Sequence, residues 1–223
     1  MLFKAIIFKE WLKIRWTLFI MFLLSLGLLV NIWINLAYGL RFHNPSDFWA
    51  VIIFRKYVFF SLLQYFPLVA GLSMAVAQFL PEMHRDRLRL TLRLPLPENL
   101  IIFQMNLVVT LILISLFLFD LIFLLAFSAI YFPEEIVKNI FIVSLPWFLA
   151  GISTYFGVST ILVEPVWIRR IIMAIILYGF LHTFFQPAGL YSYQKVILLL
   201  LLLSIISAGG IYYATHHYQK GVA

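Results

Sequence analysis

The sequence predicts an all-α integral membrane protein with six transmembrane helices, and three observations carry that prediction. Apolar residues fill 64% of 223 positions and mean hydropathy is +1.04, against about half apolar in soluble domains. Apolar runs of about twenty residues recur, the length a helix needs to cross roughly 30 Å of hydrocarbon. Within them apolar and polar positions do not alternate, as they would in the strands of a membrane β-barrel. A single domain is expected over 1–223, since no Gly-, Ser- or Pro-rich linker divides the chain. No matching residues between its halves mark an internal repeat.

The first expected element is an interfacial amphipathic helix at 1–16. Phe3, Ile7, Trp11 and Ile14 recur at steps of four, four and three and share one helical face. Lys9 and Lys13 lie opposite, flanked by Lys4 and Arg15, with Glu10 beside them. The pattern suits a helix in the headgroup plane with Trp11 and Trp16 at the boundary. No signal peptide is expected, because the first apolar run is too long and no small-residue cleavage site follows it.

A six-helix bundle follows over 17–215, with spans at 17–38, 57–80, 100–126, 140–163, 171–185 and 196–215. The fifth is short: it either crosses with little tilt or pairs with 180–193 in a re-entrant element. Pro67, Pro146 and Pro165, with Gly71, Gly151 and Gly157, mark kinks or close packing, as Gly209-Gly210 does in the last span. Gln64, Gln78, Gln104 and Asn106 are expected to hydrogen-bond between helices.

Basic residues set the orientation. Lys4, Lys9, Lys13, Arg15, Arg85, Arg87, Arg89, Arg93, Arg169, Arg170 and Lys220 fall on one side, and Arg41, Arg55, Lys56, Lys138 and Lys195 on the other. Both termini are therefore expected in the cytoplasm, in a multi-pass protein of the cell's inner (plasma) membrane. The net charge of +7 follows from this bias and needs no nucleic acid partner. With no cysteine, the chain has no disulfide or thiolate site.

The loop at 81–99 concentrates the polar chemistry. RLRLTLRLPL alternates strictly and by period alone suits a strand. A lone strand would leave its backbone unpaired at a membrane surface, so a helix is favoured. As a helix, Arg85, Arg89 and Arg93 line one side and Leu88 and Leu92 another, with Glu82 in reach of Arg85 and Asp86 of Arg89. Pro95 and Pro97 then end it.

Lys9-Glu10-Trp11 at the start, followed by Glu82, Leu88, Leu92, Leu94 and Pro95 in order, resembles permeases of the ABC-2 type, the membrane half of many ATP-driven exporters. The likeness in layout covers nearly the whole chain, and its specific motif about fifteen residues. Asp86 stands where that family usually has Gly, Arg87 where it has Thr, and Arg89 where it has an acid. The resemblance implies that the loop forms a cytoplasmic coupling helix, with Glu82, Met83, Arg85, Asp86, Arg87, Leu88, Arg89, Leu92, Arg93, Leu94 and Pro95 contacting a separate ABC ATPase subunit. It implies a second permease chain, as homodimer or heterodimer, and no cofactor in this chain, ATP and Mg being bound by the ATPase. The alternative role for the arginines is to hold the loop inside and bind anionic lipid.

Asp120 lies inside the third apolar run, where a carboxylate costs about 2.5–3.5 kcal/mol on insertion scales. It is expected to face the bundle, either lining a path or bonding a neighbouring span through a serine or tyrosine. An enzyme is not expected: no His-Glu-x-x-His, paired intramembrane aspartates or Gly-rich phosphate loop is present. The remaining class is an ATP-independent scaffold, channel or carrier.

Overall fold

The computed structural model describes residues 2–42, 58–84, 87–92, 97–185, 193 and 195–220. The described residues are mostly helical, without strands, and include six helices long and apolar enough to cross a membrane: Phe3–Gly39, Ser61–Met83, Glu98–Tyr131, Glu134–Val163, Trp167–Phe185 and Ile197–Tyr218. The protein is a multi-pass helical membrane protein.

Helix α1 (Leu2–Phe42) runs unbroken for 41 residues, about 61 Å at 1.5 Å per residue. The separate interfacial helix expected at 1–16 is thus the first part of a single helix that continues into the first span. No residue between Leu12 and Ile20 breaks a helix, and the polar side has a partner inside the protein. Ile14 is buried with the core, while Phe3, Ile7 and Trp11 stay exposed, so the four residues do not act as one face.

Helix α2 (Phe66–Met83) follows a short 3-10 turn at Ser61–Gln64 and carries Pro67 in its first turn, where the missing N–H costs nothing. The loop contributes a short helix, α3 (Arg87–Leu92). Helix α4 (Glu98–Tyr131) starts after Pro97 with Glu98 in its first turn, and α5 (Glu134–Val163) starts after Pro133 with Glu134 and Glu135 there. Acids at these positions complement the helix dipole. Both helices begin earlier than the apolar runs suggested, because a helix continues into the headgroups where hydropathy falls. Helix α6 (Trp167–His182) continues as a 3-10 turn over Thr183–Phe185. The last span is divided: α7 (Ile197–Ser207) and α8 (Gly209–Lys220) meet at a turn at Ala208, just before the Gly209-Gly210 pair. Of the expected re-entrant segment, 186–192 and 194 lie outside the described residues; Tyr193 packs with Phe184, its hydroxyl donating to Phe184 O at 3.1 Å.

Helices α2 and α5 form the most extensive pairing. Gly71 and Gly151 permit it: a Cβ at Gly71 would stand 2.1 Å from Gly151 O. Around them Met74, Val109, Leu113, Phe117, Trp147 and Tyr155 build the core. One end of the bundle gathers the ends of six helices. Ile6 packs on Ile101 and Met105, and Leu88 on Phe79, Ile102, Val163, Ile211 and Tyr218. The start of α1 and the end of α8 therefore both lie at this end, with Lys9, Lys13, Arg87, Arg89, Arg169 and Arg170. At the other end Phe59 stacks on Phe132 with ring centroids 5.4 Å apart. Helix α6 has no fully buried residue: Leu177 packs against Gly157 of α5, while Ile171, Ile172, Ile175, Ile176 and Tyr178 stay exposed.

Candidate functional site

The basic end contains a buried ion cluster that joins three helices. Lys9 and Lys13 are one turn apart on α1, and Glu10 stands three residues before Lys13. Glu82, in the last turn of α2, comes between the lysines: its Oε1 lies 2.7 Å from Lys9 Nζ and 2.6 Å from Lys13 Nζ. Lys13 Nζ also lies 2.7 Å from Glu10 Oε1. The third helix enters through Thr91 of α3, whose hydroxyl accepts a hydrogen bond from Lys9 Nζ at 2.7 Å and lies 3.3 Å from Glu82 Oε2.

Glu10 and Glu82 are 0% and 2% exposed. Two carboxylates at such depth cost several kcal/mol each unless cations and hydrogen bonds compensate them. The two lysines bring the cluster to a formal charge of zero, but Glu10 Oε2 makes no hydrogen bond. A cavity of about 320 Å³ adjoins it, lined by Ala5, Ile6, Lys9, Glu10, Leu90, Thr91 and Met105. Glu82 therefore pairs across helices with Lys9 and Lys13, where the spacing alone had offered Arg85.

Helix α3 sits over this cluster with one side in and one side out. Leu88 is buried among the helix ends, while Arg87, Arg89 and Leu90 are exposed. The Arg89 guanidinium lies over the Tyr218 ring, 5.2 Å from its centroid, tying α3 to α8. Met83 packs partly buried beside Leu88. Leu92 closes α3; Arg85, Asp86, Arg93, Leu94 and Pro95 lie outside the described residues.

A second group lies at the same end. Glu164, fully buried after α5, has Arg169 Nη1 3.7 Å from its Oε1, and Arg170 Nε donates to the Glu164 carbonyl at 2.5 Å. Arg169 also approaches His217 Nδ1 of α8 at 3.4 Å. Sequence reasoning treated these arginines only as topology signals. Glu164 stands five residues before Arg169, outside helical spacing, so no periodic signal linked them.

Deeper in the bundle, Tyr155 donates to Gln78 Oε1 at 2.5 Å and lies 3.0 Å from Asn106 Oδ1, while Gln78 Nε2 donates to Met105 O at 3.1 Å. Gln78 and Asn106 thus join helices as expected, through a tyrosine the sequence did not single out. Gln104 Oε1 makes no hydrogen bond. Tyr155→Phe is expected to cost about 1–3 kcal/mol by stranding the buried Gln78 Oε1, read as a lower unfolding midpoint in detergent. Asp120 is buried on α4 and neither of its oxygens makes a hydrogen bond; the Ser25 hydroxyl donates to Phe22 O at 3.0 Å.

The geometry holds positions rather than reacting atoms: it fixes α1 to α2 by ion pairs and α3 to both by the Thr91 hydrogen bonds, and leaves Arg87, Arg89 and Leu90 of α3 exposed. Comparison with protein-family models, with curated proteins and with solved structures gives no match.

Proposed function

We propose that this chain is the permease subunit of an ABC-2-type exporter, its basic end cytoplasmic and its α3 helix the contact for a separate ATPase subunit. The observation that carries the reading is the ion cluster. Through Thr91, Lys9 and Glu82, a displacement of α3 acts on α1 and α2 together. Such a junction suits a helix that must pass ATP-driven movement into a bundle. The ATPase can bias the bundle only through contacts that differ between its own states. Arg87 and Leu90, exposed on α3, offer it a cation and an apolar side chain. ATP and Mg would be bound by that partner, and a second permease chain would cover the side of α6 that leaves Ile171, Ile172, Ile175, Ile176 and Tyr178 exposed.

Affinity purification of the tagged chain in mild detergent tests this, beside Arg87→Glu/Leu90→Glu. An ATPase should copurify with the wild type and fall at least tenfold with the variant, since α3 keeps its inward Leu88 and Thr91. Copurification unchanged by the variant removes α3 as the contact. Absence of any ATPase removes the exporter reading and favours a membrane scaffold.

A further inference from the structure

Two amides lie on the exposed side of α1. Asn31 and Asn35 are one turn apart, and Asn35 Nδ2 donates to Asn31 Oδ1 at 2.9 Å. They stand at membrane depth. Arg15 and Arg41 are the charged residues that bracket the first span, 26 residues or about 39 Å apart. A hydrocarbon core of ~30 Å centred between them leaves ~4.5 Å at each end. Asn31 is then about 10 Å inside the boundary at the Arg41 end, and Asn35 about 4 Å inside.

An amide in hydrocarbon is costly unless its hydrogen bonds are made. The Asn31–Asn35 bond uses one group of each side chain. Asn31 Nδ2 is left as a donor and Asn35 Oδ1 as an acceptor, with no partner for either among the described residues. Turning both amides end for end exchanges these roles and changes nothing else. A donor and an acceptor side by side are self-complementary. A two-fold copy brings its acceptor to the donor and its donor to the acceptor, so both are satisfied at once.

The residues around the pair repeat with the period of two helices packed along their length. Ile20, Leu24, Gly27, Asn31, Ile34 and Tyr38 follow at steps of four, three, four, three and four, as the a and d positions of a heptad do. All six are exposed in the single chain. The opposite side, with Met21, Leu29, Ile32 and Leu36 buried, packs on α2 and α4. A single Asn at an a position fixes the register and the number of helices that pair. In membranes, amides also hydrogen-bond across helix contacts. Copies of one chain insert with the same orientation, so two α1 helices meet in parallel, with Asn31 at the same level in both.

We infer that this face of α1 docks a second copy of the chain, the two α1 helices pairing in parallel along Ile20–Tyr38 and Asn31 Nδ2 of each donating to the partner's Asn35 Oδ1. The contact does not depend on the exporter reading, whose second permease chain is set against α6. Helix α6 packs on α5, whereas α1 packs on α2 and α4, so either can fail alone. Were both to hold, like chains would join at α1 and an unlike permease would stand at α6.

The chain has no cysteine, so single introduced cysteines report proximity without background. Leu24→Cys and Ile34→Cys each place one in the seam. Phe19→Cys, exposed but about 100° around the helix from Ile20, is the control. Each full-length variant is oxidised with copper phenanthroline in cell membranes; a disulfide forms only where Cα atoms come within about 7 Å. Both seam positions should give disulfide-linked dimer, and Phe19→Cys about tenfold less. Adding Asn31→Leu/Asn35→Leu should lower the seam dimer about sevenfold, in keeping with two reciprocal amide bonds in a membrane. Both asparagines point away from the core, so these leucines should leave the unfolding midpoint of the cysteine-free chain unchanged. Absence of seam dimer, equal dimer from Phe19→Cys, or seam dimer undiminished by the leucines overturns the inference. Dimer from Ile172→Cys of α6 in place of the seam overturns it too, and puts like chains at α6.

Discussion

Replacing Lys13 with methionine is expected to cost about 3–5 kcal/mol of stability, the range for removing one partner of a buried ion pair. Lys13 is the cation nearest both carboxylates, 2.7 Å from Glu10 Oε1 and 2.6 Å from Glu82 Oε1. Methionine would leave Glu10 with neither an ion pair nor a hydrogen bond at 0% exposure, while Glu82 would keep Lys9. The loss should therefore trace to Glu10. In Glu10→Leu/Lys13→Met, both charges go together and Lys9–Glu82 remains, so most of the stability should return. A double-mutant cycle by unfolding in mixed micelles measures this. A cost below about 1 kcal/mol for Lys13→Met would mean that the cluster is solvated and does not fasten α1 to α2.

Gly71→Ala is the second large effect. Its new Cβ would meet Gly151 O at 2.1 Å and Gly151 C and Tyr155 N at 3.1 Å, all backbone atoms. Backbone cannot swing aside as a side-chain tip can, so α2 and α5 must move apart. Overpacking costs about 1–3 kcal/mol in cores, and this site should sit at or above the top of that range. The same substitution at Gly27 meets nothing within 4 Å and lies in mid-helix. It should be neutral or stabilising by up to about 1 kcal/mol. Comparing the two midpoints under one denaturant series isolates close packing from helix propensity; equal shifts would contradict the close contact.

The spans were legible because hydrocarbon thickness acts on every residue of a run at once. Their ends were not, since Glu98 and Glu134 begin helices in polar surroundings that hydropathy does not register. The helix at 87–92 could be read from the cost of an unpaired strand, against an alternating pattern that pointed the other way. The candidate site was legible only in its parts. Lys9, Glu10 and Glu82 were singled out by residue type, but the lysines were assigned to headgroups and Glu82 to Arg85. Spacing rules see neighbours three or four residues away, whereas Lys13 and Glu82 are 69 apart. The same blindness hid Glu164 from Arg169 and Tyr155 from Gln78, 77 residues off. Asp120 is buried, but neither of its oxygens makes a hydrogen bond.

The unbroken α1 makes the first span a stiff lever. Its ion-paired lysines are near one tip, and the Asn31–Asn35 hydrogen bond of 2.9 Å is near the other. A tilt of ~5° about Lys13, with roughly 44 Å of helix beyond it, carries the far tip through ~4 Å. An angular change at the Glu82 fulcrum too small to break any of its contacts would thus reach the far leaflet enlarged, as a stroke the width of a side chain.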